Sequence, residues 1–324
     1  MVGCLMPRKI RDITPGRYYL VTIRTNLAEI WMLPDEHIEA TIGGIIARYQ
    51  EEYKIKIYAY AFLGNHYHIV CSTPHGGLDR FFENVNREIA RRVNKYFGRI
   101  AKFWARPYDA AVILNDEDLL EAVLYTITNP VRHGLVRYSK SWPSLGCYHH
   151  CINEDDRVFS FTHYSIKNSE GKYLQTLHTL QLERMPQFQK LSRDQYRATL
   201  YSYITERENE IANERFMASL GFLGAKTLRE QKPGSLPRDI SRLKSPICYS
   251  KDSEVKKYYR NERRQFVKVY TLASIRLRAG LSTSFPPHCY KPPLHKVPKP
   301  KMTLAFRAHI EEQLDKLLAE FANA

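Results

Sequence analysis

Two short segments of this 324-residue chain hold side chains whose types and spacing could do chemistry together. In Gly64-Asn65-His66-Tyr67-His68 the two histidines stand one residue apart. On a strand, residues i and i+2 point to one face, so both imidazoles would project where one divalent cation could meet them. Taken alone, such a pair reads as ordinary polar alternation on a solvated strand face. In the second segment Tyr125 and Asn129 stand four residues apart, which places them on one face of a helix. Taken alone, Tyr125 is one of 22 tyrosines and reads as a half-buried aromatic. Asn129 likewise reads as a helix terminator before Pro130.

Together the four residues make a more specific set. Two imidazoles and one amide oxygen are three ligands that leave coordination positions open, so a bound cation could polarise a phosphate oxygen. A tyrosine one turn before the amide is positioned to attack that phosphorus. A phenol with its reference pKa of ~10 is a poor nucleophile at neutral pH, so it needs the metal and nearby cations. The product would be a covalent phosphotyrosine, formed without an external energy source. A mixed nitrogen and oxygen ligand set admits Mg²⁺ or Mn²⁺, with imidazole leaning toward Mn²⁺. Tyr96 is the competing nucleophile, but position 100 is Ile100 and supplies no amide.

The elements that must position these groups follow from periodicity. Tyr18 to Arg24, Lys56 to Phe62, His66 to Cys71 and Ala110 to Leu114 read as strands, with a hairpin through Leu63-Gly64-Asn65. His37 to Tyr49 and Arg80 to Phe97 have helical spacing. Asn115 to Thr128 is a further helix, with Asn115 as N-cap and Asp116, Glu117 and Asp118 in the first turn. Its apolar stripe is expected at Leu120, Val123, Leu124 and Ile127, and Pro130 should stop it. The order strand, helix, strand, strand, helix, strand, helix predicts an α+β fold, a ferredoxin-like antiparallel sheet with packed helices. This domain is expected over 10–150. Residues 151–324 are expected to be a basic, mainly helical, DNA-binding extension. Within it 150–190 reads as an irregular connection, Arg193 to Leu220 and Ser253 to Arg278 as helices, Pro286 to Pro300 as extended, and Met302 to Phe321 as a closing amphipathic helix.

Charge favours a polyanionic partner. The net charge is 49 − 34 = +15. Counting along the sequence gives 19 − 15 = +4 for 1–149 and 30 − 19 = +11 for 150–324. Candidate phosphate contacts on the helix Arg80 to Phe97 are Arg87, Arg91, Arg92 and Lys95, for which a solvated helix surface is an equal explanation. Trp104 and Arg106 could stack on and contact unpaired bases, although packing on the sheet explains them nearly as well. Lys256, Lys257, Arg260, Arg263 and Arg264 are the best candidates for a second DNA surface, with a generic basic helix face as the competitor. Cys147-Tyr148-His149-His150-Cys151 has zinc-capable side chains but no second pair at finger spacing. Six scattered cysteines make no disulfide framework, no run is long enough to span a membrane, and the start lacks a secretory pattern. A reduced, cytoplasmic protein is the expectation.

The residues resemble a known family, the REP-associated tyrosine transposases, a branch of the single-tyrosine HUH transposases. The resemblance rests on Gly64-Asn65-His66-Tyr67-His68-Ile69-Val70 and on Tyr125-Thr126-Ile127-Thr128-Asn129-Pro130-Val131-Arg132-His133-Gly134-Leu135-Val136, followed by Ser141-Trp142-Pro143-Ser144. Phe103-Trp104-Ala105-Arg106-Pro107-Tyr108 resembles the aromatic-basic segment that precedes the tyrosine block. The likeness covers 10–150, and Gly64 stands where many members carry proline. It implies His66, His68 and Asn129 as metal ligands and Tyr125 as nucleophile. It further implies cleavage of single-stranded DNA beside a hairpin, a 5′-phosphotyrosine and a freed 3′-OH, with Mg²⁺ or Mn²⁺ and no nucleotide cofactor. A non-catalytic nucleic-acid-binding protein on the same fold is the alternative, and a metal-dependent phosphodiesterase using water is a third. Monomer and homodimer are both compatible with the sequence.

Overall fold

The computed structural model describes residues 10–11, 13–237, 246–278 and 280–290, and scattered positions from 292 to 316. Gly16–Lys251 form one compact unit. The described residues up to Pro15 and from Asp252 onward form a second.

In the first unit the strands are β1 (Tyr18–Arg24), β2 (Lys56–Leu63), β3 (His66–Ser72) and β4 (Asp109–Ile113). They make one sheet in the order β2-β3-β1-β4 with every pairing antiparallel, the arrangement the element order predicts. Helix α1 (Glu36–Tyr53) is capped by Asp35, whose side chain accepts from Ile38 N at 2.9 Å. Helix α2 (Leu78–Tyr96) buries Leu78, Phe81, Phe82, Val85, Ile89 and Val93. Tyr67 of β3 points toward α2, where its hydroxyl donates to Asn86 Oδ1 at 2.7 Å. His66 and His68, one residue to either side, therefore point to the other face.

Helix α3 (Asp116–Ile127) lies against β2 and β3, and the four-residue α4 (Asn129–Arg132) follows it directly. Asn115 caps α3 by accepting from Asp118 N at 2.7 Å. The buried stripe runs through Leu119, Ala122, Val123, Thr126 and Ile127, so Leu119 takes the place expected of Leu120.

The division expected at residue 150 falls inside this compact unit. The irregular connection expected over 150–190 is instead α5 (Tyr148–Asn153) and an antiparallel hairpin, β5 (Arg157–Lys167) with β6 (Tyr173–Leu180). The hairpin docks on α1 across Gly43 and Gly44. A Cβ at Gly43 would enter the Phe159 ring, and one at Gly44 would meet the Ser160 carbonyl. Two mid-helix glycines cost helix stability but permit that approach. Helix α6 (Arg193–Met217) opens with a complete capping box between Ser192 and Gln195, and the short α7 (Ala225–Arg229) follows.

Both sheet edges are covered. Phe62 N donates to Leu145 O at 2.9 Å beside β2. Beside β4, Val112 N donates to Ile247 O at 3.1 Å and Tyr249 N donates to Val112 O at 2.9 Å. The second unit contains α8 (Ser253–Arg278). Residues 304–306, 308–309, 311–313 and 316 of the expected closing helix are helical. Thr303 precedes them without being helical, and the remaining residues of that helix and most of 291–300 lie outside the described residues. Among the described residues no helix is long and apolar enough to cross a membrane.

Candidate active site

His66 and His68 are 7% and 6% exposed, and their rings lie 5.1 Å apart, centroid to centroid, at 88°. The register sets their neighbours: Arg24 lies opposite His66 and Thr22 opposite His68 on β1. Each imidazole is held through Nδ1. His68 Nδ1 is hydrogen-bonded to Thr22 Oγ1 at 2.7 Å, and His66 Nδ1 to Asn65 Oδ1 at 2.6 Å. The Asn65 amide has a fixed sense, because its Nδ2 donates to Ala28 O at 3.0 Å. Its Oδ1 can only accept, so His66 carries its proton on Nδ1 and presents a lone pair at Nε2. This is the state a metal ligand needs.

Burial pushes the His66 imidazole well below its ordinary pKa, and neighbouring His68, His133 and Arg24 add to the effect. His68 is pushed down to about 3 by burial, with His133 and Arg24 contributing. Both rings are therefore neutral at pH 7.

Tyr125 and Asn129 arrive from α3 and α4, which pack on the face that carries the imidazoles. The Tyr125 ring is half-buried and meets His68 edge-on, with centroids 5.3 Å apart at 84°. Asn129 is fully buried at the start of α4. Its amide lies beside both His66 and Tyr125. Neither its Oδ1 nor its Nδ2 completes a hydrogen bond among the described residues. An amide in that state is unusual, since buried polar groups are nearly always paired. An orphaned oxygen beside the neutral His66 imidazole, whose ring lies 5.1 Å from that of His68, fits a divalent cation as third partner. Among the described residues no three His, Cys, Asp or Glu side chains gather as a metal cage, so a cation here would depend on this amide. Burial raises the Tyr125 phenol above its ordinary pKa, and Arg132, whose guanidinium carbon sits 5.8 Å from the ring centre, works against that rise.

Several neighbours were not singled out from the sequence. His133 places its ring 5.2 Å from His66. Tyr249 stands 6.0 Å from the Tyr125 ring, brought there by the 247–249 segment beside β4. Glu121, one turn before Tyr125, receives both Arg207 of α6, at 3.0 Å, and Lys251, at 2.8 Å. Asn65 and Thr22 were legible as strand-end and strand partners once the register was known. Tyr249 carries no sequence signal.

The candidate DNA contacts divide. Arg87 and Arg91 are exposed on α2, bonded to Asn84 and Glu88 respectively. Lys95 is exposed, its ammonium 4.3 Å from the Tyr164 ring centre. Arg92 is corrected: it is buried, its Nε donates to Glu88 at 2.9 Å and its Nη2 to Thr162 O at 2.8 Å, and it lies over the Phe161 ring. It ties α2 to the hairpin. Trp104 is corrected as a stacking platform, because its Nε1 donates to Asn86 O at 2.8 Å and its ring packs on Tyr67. Arg106 is exposed and paired with Asp109 at 2.5 Å on the imidazole face. In α8, Lys257, Arg260 and Arg264 are exposed, while Lys256 is half-buried and Arg263 donates to Ile10 O at 2.7 Å. In the Cys147–Cys151 segment both cysteines are buried and free, and His150 Nδ1 is hydrogen-bonded to the Tyr60 hydroxyl at 3.1 Å.

The sequence profile of the family described as "Transposase IS200 like" matches residues 18–123. Over these residues the chain is similar to that family. The matched segment ends just short of Tyr125 and includes both histidines. No functionally curated protein matches the chain. Among solved structures, the chain is 23% identical to a REP-associated tyrosine transposase bound to a REP hairpin. That likeness covers 46% of this chain and 86% of the other, with a TM-score of 0.39. A transposase of Deinococcus radiodurans R1, described as putative, is 14% identical over 34% of this chain and 88% of its own, with a TM-score of 0.26.

Proposed function

We propose that the chain is a metal-dependent endonuclease and strand transferase for single-stranded DNA beside a hairpin, with Tyr125 as nucleophile. The observation that carries this reading is the buried, orphaned Asn129 amide lying beside His66 and the Tyr125 phenol. His66 and His68 through Nε2, and Asn129 through Oδ1, would hold Mg²⁺ or Mn²⁺. When bound, the cation supplies Lewis-acid polarisation of a phosphate oxygen.

The chain's own residues do the rest. Asn65 and Thr22 fix the two imidazoles in the ligating orientation. Arg24 and Arg132 put positive charge beside the site, which draws the phosphodiester in. The Tyr125 hydroxyl loses its proton to solvent as its oxygen bonds to phosphorus. The bond from phosphorus to the 3′ oxygen breaks, and that oxygen leaves with a proton as a 3′-OH. One phosphate ester replaces another, so the 5′-phosphotyrosine keeps the energy needed for rejoining. Rejoining is the reverse attack by a 3′-OH, with Tyr125 regaining its proton. The exposed Lys257, Arg260 and Arg264 follow i, i+3, i+7 spacing on α8 and form a second phosphate-contacting stripe.

The test is covalent trapping with a labelled hairpin oligonucleotide and Mn²⁺. Wild type should give a species that survives denaturing electrophoresis, and Tyr125→Phe should not. Cleavage that persists in Tyr125→Phe but is lost in His66→Ala would assign a water nucleophile instead. Binding without any adduct would leave a non-catalytic DNA-binding protein.

A further inference from the structure

The Tyr125 ring has a second aromatic neighbour besides His68, and it comes from far beyond the segment that the family profile matches. Tyr249 lies 6.0 Å away, centroid to centroid, at 52°. That separation is inside the ~4.5–7 Å at which aromatic rings attract. The backbone around Tyr249 is tied to the sheet. Val112 N donates to Ile247 O at 3.1 Å and Tyr249 N donates to Val112 O at 2.9 Å, with the buried Cys248 between them. Tyr249 is therefore placed by β4, in the same sheet that carries His68 on β3.

The same segment grips α3 one turn before Tyr125. The Tyr249 hydroxyl donates to Glu121 O at 3.5 Å. In an α-helix that carbonyl belongs to the N–H four residues on, which is that of Tyr125. Lys251 N donates to Asp118 Oδ1 at 3.3 Å, and Lys251 Nζ meets the Glu121 carboxylate at 2.8 Å. Arg207 of α6 donates to both oxygens of that carboxylate, each at 3.0 Å. The exposed lysine contributes little to stability, but the set fixes where this turn lies. Such support matters here, because Tyr125 stands two residues from the end of α3, and helix ends fray. At 3.5 Å the bond to Glu121 O is long, so the ring is the larger part of what Tyr249 offers.

We propose that Tyr249 is a positioning residue for the nucleophile: its ring, fixed by the tie to β4, backs the Tyr125 ring and holds the phenol where it can reach a phosphate beside His68 and Asn129. Tyr249 itself changes no bond. The role rests on the reading of Tyr125 as nucleophile given above. Misplacing a reacting group by ~1 Å can cost on the order of a hundredfold in rate. A ring packed on the nucleophile thus acts on the chemical step and not on DNA binding.

The test is single-turnover adduct formation by the full chain with labelled hairpin oligonucleotide and Mn²⁺. Tyr249→Leu should lower the maximal rate at least about tenfold, while the oligonucleotide concentration for half-maximal rate stays within about twofold. Tyr249→Phe keeps the ring and should bring the rate back to within about threefold of wild type. Mn²⁺ affinity, read by calorimetry, should match wild type in both variants, because Asn65 and Thr22 hold the imidazoles independently. An undiminished rate in Tyr249→Leu, or an equal loss in Tyr249→Phe, would overturn the role. A rate loss that comes with lost Mn²⁺ binding or a lost melting transition would also overturn it, making Tyr249 a packing residue of the whole region. No adduct from wild type removes the nucleophile and its positioning residue together. A wild-type adduct that Tyr249→Leu forms equally fast removes only the positioning role.

Discussion

Tyr67 and its two neighbours on β3 face opposite sides of one sheet, and the two sides treat buried polarity differently. On the side of α1 and α2 every singled-out polar group is paired. Tyr67 donates to Asn86, Trp104 donates to the Asn86 carbonyl, and Arg92 is closed between Glu88 and Thr162. On the other side the amide of Asn129 and the donors of Ser139 and Trp142 lack partners among the described residues, and two imidazoles are held neutral. Paired burial is what a scaffold needs. Unpaired burial, concentrated on one face, is where a site gives up stability for function.

The largest effect expected from this contrast is on the scaffold side. Arg92→Met should cost about 2–4 kcal/mol in urea denaturation, because it removes the buried ion pair to Glu88 and the donor to Thr162 O, while Arg91 stays bonded to Glu88. The exposed Lys95→Ala should stay within about 0.5 kcal/mol. Next comes a matched pair of asparagines. Asn86→Ala should destabilise by about 1–3 kcal/mol, since it orphans the Tyr67 hydroxyl. Asn129→Ala should not destabilise and should weaken Mn²⁺ binding at least about tenfold, as read by calorimetry. A comparable loss of stability in both would erase the distinction between the faces.

Acid sharpens the comparison further. Buried His68 is pushed down to about 3 and buried His150 to about 4, chiefly by burial, and His66 moves the same way. In the unfolded chain these rings titrate near their ordinary value of ~6.5. Between those limits the unfolded state binds more protons, so stability is full above about 6.5 and falls as pH drops toward 3–4. His150→Gln should make that fall shallower in metal-free protein, measured by thermal melting across pH. The smallest effect belongs to α8. Removing Lys257, Arg260 or Arg264 singly should reduce the salt dependence of DNA binding by about one unit of slope each, with little change in stability.

The sheet and its helices were legible because two-residue and helical periods stand out in Tyr18–Arg24, His66–Ser72 and Leu78–Tyr96. The pairing of the histidines with Tyr125 and Asn129 was legible only as a motif, since nothing local fixes how a strand and a distant helix meet. Arg92 could have been read as structural from Glu88 four residues earlier, a spacing that forms ion pairs. The β5–β6 hairpin was missed because its strands mix polar and apolar residues without a clean alternation and dock on α1 across Gly43 and Gly44, a contact no local pattern announces. Tyr249 was invisible, because its place beside Tyr125 depends on a backbone bridge to β4 from far along the chain.

The central claim is that the phenol of residue 125 becomes bonded to DNA phosphorus. Proteolysis of the trapped adduct followed by mass spectrometry addresses it directly. The nucleotide mass should sit on the peptide that contains Tyr125. A nucleotide on the peptide of Tyr249 or Tyr96, or cleaved DNA with no modified peptide, would contradict the mechanism.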